Sequence, residues 1–347
     1  MESNKKATSR LTFLDYTALY ATHLLQLGRY GGARNLRNAS NRLLAFLTTI
    51  GKKDVSFSKL QPPLIERFEA WLLQGRACRN TSSSYMRSLH AAYNQAVKDG
   101  TARSGSASGR SHLCPNPFVN VYCGVDKTAK RAIDKSYIRD LLKLDIPSKL
   151  TKLYKNDGKR TKGKYFDNAL HQLELTRDLF IFSFCMRGMA FVDMAFLRKT
   201  AICDGHIHYA RRKTHQRIVV RIEPMMQAIM DRWQTEGPYL FPILSEADDV
   251  AVAYRQYQSQ LSRYNRNLKT LGRMLGGITL TSYVSRHSWA SAAYAENVPL
   301  SIISQSMGHD SERNTRIYLQ ELDNTAIDNC NSDLLNTVFR GKKTKSA

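Results

Sequence analysis

The chain is 347 residues long and carries 52 Lys plus Arg against 29 Asp plus Glu, a formal net charge of +23. With 42% hydrophobic and 23% charged residues, it can bury two cores and is too apolar for a disordered basic tail. The positive excess runs through both 1–130 and 131–347, so a polyanion is the expected partner, nucleic acid ahead of an anionic membrane.

Leu11, Leu14, Ala18 and Leu25 fall at helical spacing and predict a first helix that stops at Gly28. A second fits Ala33–Ile50, with Leu36, Leu43, Leu44 and Leu47 inward and Gly51 as its stop. Pro62-Pro63 opens a third, which buries Leu64, Phe68, Trp71 and Leu72 and ends at Gly75. Asn80-Thr81 is expected to cap a fourth, through Tyr85, Leu89, Ala92 and Ala96 to Gly100. Arg-rich outer faces suit a module that grips DNA as well as they suit a bundle with a solvated surface. Residues 101–117, rich in Gly, Ser and Pro, read as a loop, and the domain joint is expected at 126–131.

Beyond the joint, Ile133-Asp134-Lys135-Ser136 looks like a helix start. Ser148–Lys164 packs seven bases around Asp157 and reads as an exposed basic loop. Leu170–Met186 reads as a buried helix. His206–Arg211 and Arg217–Ile222 carry the strand pattern, turning at Lys213-Thr214-His215-Gln216. Helices follow from Pro224 and over Asp248–Leu275, and the rest is helical apart from Gly276-Gly277 and the region of Gly308. Ala326, Ile327, Leu334, Leu335, Val338 and Phe339 form a last apolar stripe before the basic end, GKKTKSA.

No apolar segment follows the opening Met-Glu-Ser-Asn-Lys-Lys, and the longest apolar run, Leu179–Met186, is far too short for a membrane span. Neither a secretory signal nor a membrane partner is expected. Cys78, Cys114, Cys123, Cys185, Cys203 and Cys330 make no Cys-x-x-Cys pair, so reduced thiols are expected. His206, His208 and His215 lack Cys or acidic partners and read as solvated histidines rather than metal ligands.

One stretch, 281–322, is far more specific. Arg286-His287 is followed twenty-three residues on by His309, in Met307-Gly308-His309-Asp310-Ser311, and nine further on by Tyr318. Upstream, Arg187 stands in Cys185-Met186-Arg187-Gly188-Met189, and Lys213 in the predicted hairpin turn. These residue types suit attack on a phosphodiester. Two guanidinium groups can hold the charge that builds on the non-bridging oxygens, as a point-charge ammonium does less well. A histidine can donate a further hydrogen bond, a phenol in a cationic pocket can attack phosphorus, and a lysine can protonate the departing oxygen.

The order and spacing resemble the C-terminal signature of the tyrosine recombinases, the phage-integrase family: Arg-His, then Leu-Gly-His, then a nucleophilic Tyr. The resemblance implies a mainly α fold with a small antiparallel β-sheet (α+β). It implies a helical N-terminal core-binding, SAM-like domain over 1–128, a catalytic domain over 129–325, and a C-terminal helix and basic tail over 326–347. The implied activity is site-specific recombination (integration, excision or inversion) through a 3′-phosphotyrosine, with no cofactor. The implied catalytic residues are Arg187, Lys213, Tyr283, Arg286, His309 and Tyr318, with the lysine reaching its target from a mobile hairpin. Double-stranded DNA would lie in a C-shaped clamp, held by a homo-oligomer that forms a tetramer at synapsis, its last helices docked on neighbouring protomers. Accessory DNA-bending proteins and a cytoplasmic, nucleoid-associated bacterial location belong to the same expectation.

Two positions depart from the family pattern. Tyr283 stands where His-x-x-Arg has its histidine, and sharing a helical face with Arg286 suits it to hydrogen bonding more than to base chemistry. The acid usually three residues after the first arginine is replaced by Ala190, and the first acid is Asp193. Arg211 and Arg212 compete with Lys213 for the hairpin role. The rival from another class is a recombinase-like DNA-binding or architectural protein that does not cut. A relaxing topoisomerase shares the chemistry, and a metal-dependent nuclease would need clustered carboxylates.

Overall fold

The computed structural model describes residues 11–105, 111–113, 115–126, 132–246, 249–308 and Thr315. It is mainly helical with a small antiparallel sheet, and the chain divides into two compact units, Met1–Thr128 and Ala129–Ala347.

The first unit packs four helices, α1 (Phe13–Gln26), α2 (Tyr30–Thr49), α3 (Pro62–Gln74) and α4 (Arg79–Lys98), around Phe13, Leu36, Leu43, Phe68, Met86, Leu89 and Tyr93. Thr12 caps α1 by accepting from the Asp15 N–H, and Pro62-Pro63 starts α3. The inward face of α1 is wider than the expected one: Leu11, Leu14 and Leu25 pack against the core as expected, but Ala18 does not. Phe13, Tyr16, Thr17, Ala21 and Leu24 are buried, while Ala18 is exposed. Phe13 and Tyr16 both meet Phe57 edge-on, with ring centroids 5.6 and 5.9 Å apart, so a remote aromatic cluster adds them to the inward face.

The start of α4 also differs. Cys78 holds the N-cap position with no side-chain cap bond. Asn80 instead reaches the backbone of Asp126, donating to its carbonyl at 3.0 Å and accepting from its N–H at 2.7 Å. Within the expected 101–117 loop lies an antiparallel pair, β1 (Arg103–Gly105) with β2 (Ser111–Leu113).

The second unit runs α5 (Lys135–Leu142), α6 (Ile146–Asn156), α7 (Lys164–Cys185), α8 (Phe191–Ala195), β3 (Ile202–Cys203), β4 (His206–Ala210), β5 (Arg217–Arg221), α9 (Pro224–Arg232), α10 (Val250–Met274), α11 (Val284–Ala295) and α12 (Leu300–Ser306). The sheet order is β3-β4-β5, all antiparallel, with Tyr209 opposite Ile218. Helix α7 lies in the middle. Its Leu179, Phe180 and Phe182 belong to one core with Phe241, Leu268, Leu271 and Val284.

The expected basic loop at Ser148–Lys164 is for the most part helix. Asp145 caps α6 by accepting from the Ser148 N–H at 3.2 Å, and Ile146 and Leu150 are fully buried. A lysine-rich outer face hid two inward apolar residues one turn apart. Among the described residues no helix is long and apolar enough to cross a membrane.

Candidate active site

The site begins where α7 ends. Arg187 and Gly188 take consecutive left-handed conformations, with φ of 58° and 75°. The N–H groups of Gly188 and Met189 both return to the Ser183 carbonyl, at 2.9 and 3.1 Å. Ser183 Oγ donates to the Met189 carbonyl and shares a 2.7 Å hydrogen bond with Ser285 Oγ of α11. A non-glycine residue held left-handed costs on the order of 1 kcal/mol. The staple around Ser183 sustains it at Arg187.

Arg286 follows Ser285 and is 2% exposed. Its Nη1 donates to the Gly188 carbonyl at 2.8 Å and its Nη2 to the Met307 carbonyl at 2.6 Å. The second arginine is thus seated directly on the turn that carries the first. Gly188 has to be a glycine for a second reason as well: a Cβ there would stand 2.6 Å from Arg286 Cα.

The hairpin of β4 and β5 arrives from the other side. Ile207, Tyr209 and Arg211 alternate inward, as a strand dictates. Arg211, 4% exposed, donates from Nη1 to the Gly308 carbonyl at 2.6 Å, and Thr214 Oγ1 donates to the same oxygen at 3.2 Å. Two adjacent carbonyls, of Met307 and Gly308, are therefore held by guanidinium groups from different segments. Asp193 of α8 is buried and accepts the Arg212 N–H at 2.8 Å. The Arg212 guanidinium lies over the Phe196 ring, 4.1 Å from its centroid. The expected mobile hairpin is a tethered one.

Electrostatics follow from that convergence. Burial pushes the Asp193 carboxyl above its ordinary range, while the Arg212 N–H and the charges of Arg211 and Arg286 pull it back. Burial, with Asp193 adding to it, drives the Tyr209 phenol above its usual range, against the charges of Arg286, Arg211 and Arg187. Three guanidinium groups and one carboxylate thus bear on the same phenol, and the surplus is positive, as an anion requires.

Of the expected residues, Arg286 of α11 is seated on the turn that carries Arg187, and Lys213 lies exposed on the tethered hairpin. Tyr283 occupies the N-cap of α11, with φ −95° and 42% exposure, while Arg286 points into the interior. His309, Tyr318 and the stripe over 326–347 lie outside the described residues. The displaced acid, Asp193, holds the hairpin through Arg212. Arg211, weighed in sequence only as a stand-in for Lys213, ties the hairpin to Gly308, and Tyr209 and Thr214 were not singled out. The inward alternation of 207, 209 and 211 was the available signal. Among the described residues no three His, Cys, Asp or Glu side chains gather as a metal site.

The fold, taken with the family matches, makes the chain a tyrosine-type site-specific recombinase. The chain belongs to the phage integrase family: residues 12–107 match its SAM-like domain and residues 186–325 the phage integrase family itself. Among solved structures it is similar to the Tn1549 transposon integrase in complex with a circular intermediate DNA, at 12% identity and a TM-score of 0.57, over 93% of this chain and 99% of that one. It is likewise similar to a lambda integrase dimer bound to a COC′ core site, at 13% identity and a TM-score of 0.54, over 97% and 80%. A lambda integrase tetramer bound to a Holliday junction matches at 12% identity and a TM-score of 0.51, over 98% and 81%. At these identities the likeness is one of fold. No curated protein matches this chain in sequence.

Proposed function

We propose that this recombinase cleaves and rejoins double-stranded DNA through a covalent link to Tyr318. Arg187 and Arg286 grip the non-bridging oxygens of one phosphate, and His309 donates to it. The Tyr318 oxygen bonds to phosphorus as its proton passes to solvent, and the bond from phosphorus to the 5′-oxygen breaks. Lys213 gives that oxygen its proton, leaving a 5′-hydroxyl and a 3′-phosphotyrosine. Reversal by a 5′-hydroxyl of another strand rejoins the DNA, so the phosphoester is conserved and neither ATP nor a metal is consumed. A phenol of ordinary pKa near 10 needs such a cationic surround to react at neutral pH. Tyr283, exposed at the head of α11, serves in this reading as a hydrogen-bond donor to the phosphate.

The first unit, 1–128, binds DNA, residues 129–325 carry the chemistry, and 326–347 link protomers in a tetramer at synapsis. The DNA-bound dimer and tetramer forms of the structural relatives support this assembly. The observation that carries the proposal is the seating of Arg286 on the Arg187 turn. A DNA duplex nicked beside the crossover point traps the covalent link, because the freed 5′ fragment diffuses away. The full chain should accumulate a denaturation-resistant complex on it, and Tyr318→Phe should abolish the complex while duplex binding stays. Binding without any adduct from the unsubstituted chain would establish the non-cutting alternative.

A further inference from the structure

The general acid of the proposed reaction sits on a four-residue turn, and a lysine on such a turn is normally free to wander. Here the residues around Lys213 are anchored one by one. Arg211 is held through its side chain to the Gly308 carbonyl, and through its backbone to Gln216 and His215, at 2.9 and 2.7 Å. Arg212 is held through its N–H to Asp193, and Thr214 through its hydroxyl to Gly308. The Lys213 side chain itself is left exposed. The Arg211 bond stands out because it is short, charge-assisted and buried. It ends on the carbonyl of the residue that precedes His309 in the chain, ninety-seven positions away from Arg211. Gly308 lies so close to this face that a Cβ on it would meet Ile218 Cδ1 at 2.9 Å and Arg211 Cδ at 3.3 Å.

We infer that Arg211 is a positioning residue: its bond to the Gly308 carbonyl docks the hairpin turn on the glycine–histidine segment and so fixes where Lys213 delivers its proton. The inference rests on the reading of Lys213 as general acid. Arg211 touches no substrate in this scheme, and its effect passes through the lysine.

The test separates proton delivery from general damage. Replacing the bridging 5′-oxygen of the nicked substrate by sulfur turns the leaving group into a thiolate. A thiol has a pKa of about 8.5 and leaves without help, whereas an alkoxide needs the proton. Single-turnover adduct formation is measured on both substrates for the unsubstituted chain, Lys213→Ala, Arg211→Met and Arg211→Lys. Arg211→Met should slow the oxygen substrate about ten- to a hundred-fold and the sulfur substrate less than about threefold, the pattern of Lys213→Ala. Arg211→Lys keeps the buried charge near Asp193 and one donor. It should be about tenfold slow on oxygen and unchanged on sulfur, and it carries the test if the methionine variant does not fold.

Equal slowing on both substrates by the folded variants, or no slowing on either, overturns the inference. If Lys213→Ala itself slows both substrates alike, the lysine is not the general acid and the inference falls with that reading. If the unsubstituted chain forms no adduct on either substrate, the proposed cleavage reaction is wrong.

Discussion

Gly188 lies against Arg286 so closely that a methyl group on the glycine would stand 2.6 Å from the arginine Cα and 2.9 Å from its Cγ. The contact joins the end of α7 to the first turn of α11, segments about a hundred residues apart in sequence. Gly188→Ala should therefore displace α11 against backbone as well as strain a left-handed position. A loss of about 2–4 kcal/mol in stability is expected. Adduct formation at a temperature where the variant is still folded should drop by at least about a hundredfold, since a misplacement of about 1 Å is enough. Retention of full cleavage by a folded Gly188→Ala chain would falsify the seating of Arg286 as the organising contact.

Away from the site, the second unit buries the Asp178 carboxylate. Asp178 accepts from Arg177 Nε at 2.8 Å, Trp233 Nε1 at 2.8 Å and Arg232 Nη1 at 3.2 Å. Asp178→Ala strands two of these donors in the interior and should cost about 3–5 kcal/mol. Glu174 meets the same Arg232 at 2.8 Å but at the rim, so Glu174→Ala should cost less than about 1 kcal/mol. Urea unfolding of both variants checks the contrast, and similar losses would contradict it.

Asp193 makes stability depend on pH in an unusual direction for a carboxylate. Its folded-state pKa lies above the ordinary 3.8, so the folded chain binds this proton more tightly than the unfolded one. The stabilising contribution is complete below about pH 3.8 and is lost as pH rises through the folded-state value. Asp193→Asn cannot titrate and lacks that fall. Urea midpoints taken from about pH 4 to about pH 7 should move in favour of the variant as pH rises, and parallel curves would rule the effect out. Because the Arg212 N–H loses an anionic acceptor, cleavage by the variant should nonetheless be slower.

The charge of +23 should appear in the thermodynamics of DNA binding. Phosphate contacts release counterions, so log K should fall linearly with log salt. Between ~50 and ~200 mM salt a protein with about six such contacts loses on the order of 10³ in affinity. A salt-insensitive affinity for duplex DNA would mean that the positive excess faces elsewhere.

Much of the fold was legible because it is written in short-range patterns. Pro62-Pro63, the inward Leu36, Leu43 and Leu47 of α2 and the alternation across 206–222 each act within one or two turns of chain, whereas Leu44, expected inward beside Leu43, is exposed. The misreadings mark where a distant partner intervened. Phe57 added Phe13 and Tyr16 to the inward face of α1, Asp126 drew Asn80 away from capping, and two buried residues turned a lysine-rich stretch into α6. At the site, residue types and spacing singled out Arg187, Lys213 and Arg286, but they were silent on Arg211 as a tether and on Asp193 as the hairpin's anchor.

By itself, then, the order of residues along this chain determined its basic character and which side chains could handle a phosphate, since those follow from chemistry and local periodicity, and it indicated the class through its resemblance to a family signature. Which guanidinium holds which carbonyl was decided only in three dimensions. The bonds from Arg286 to Gly188 and from Arg211 to Gly308 span 98 and 97 positions. No local pattern encodes a pairing at that range; it exists because packing around α7 brings the two carbonyls within reach and because a buried guanidinium must find acceptors there.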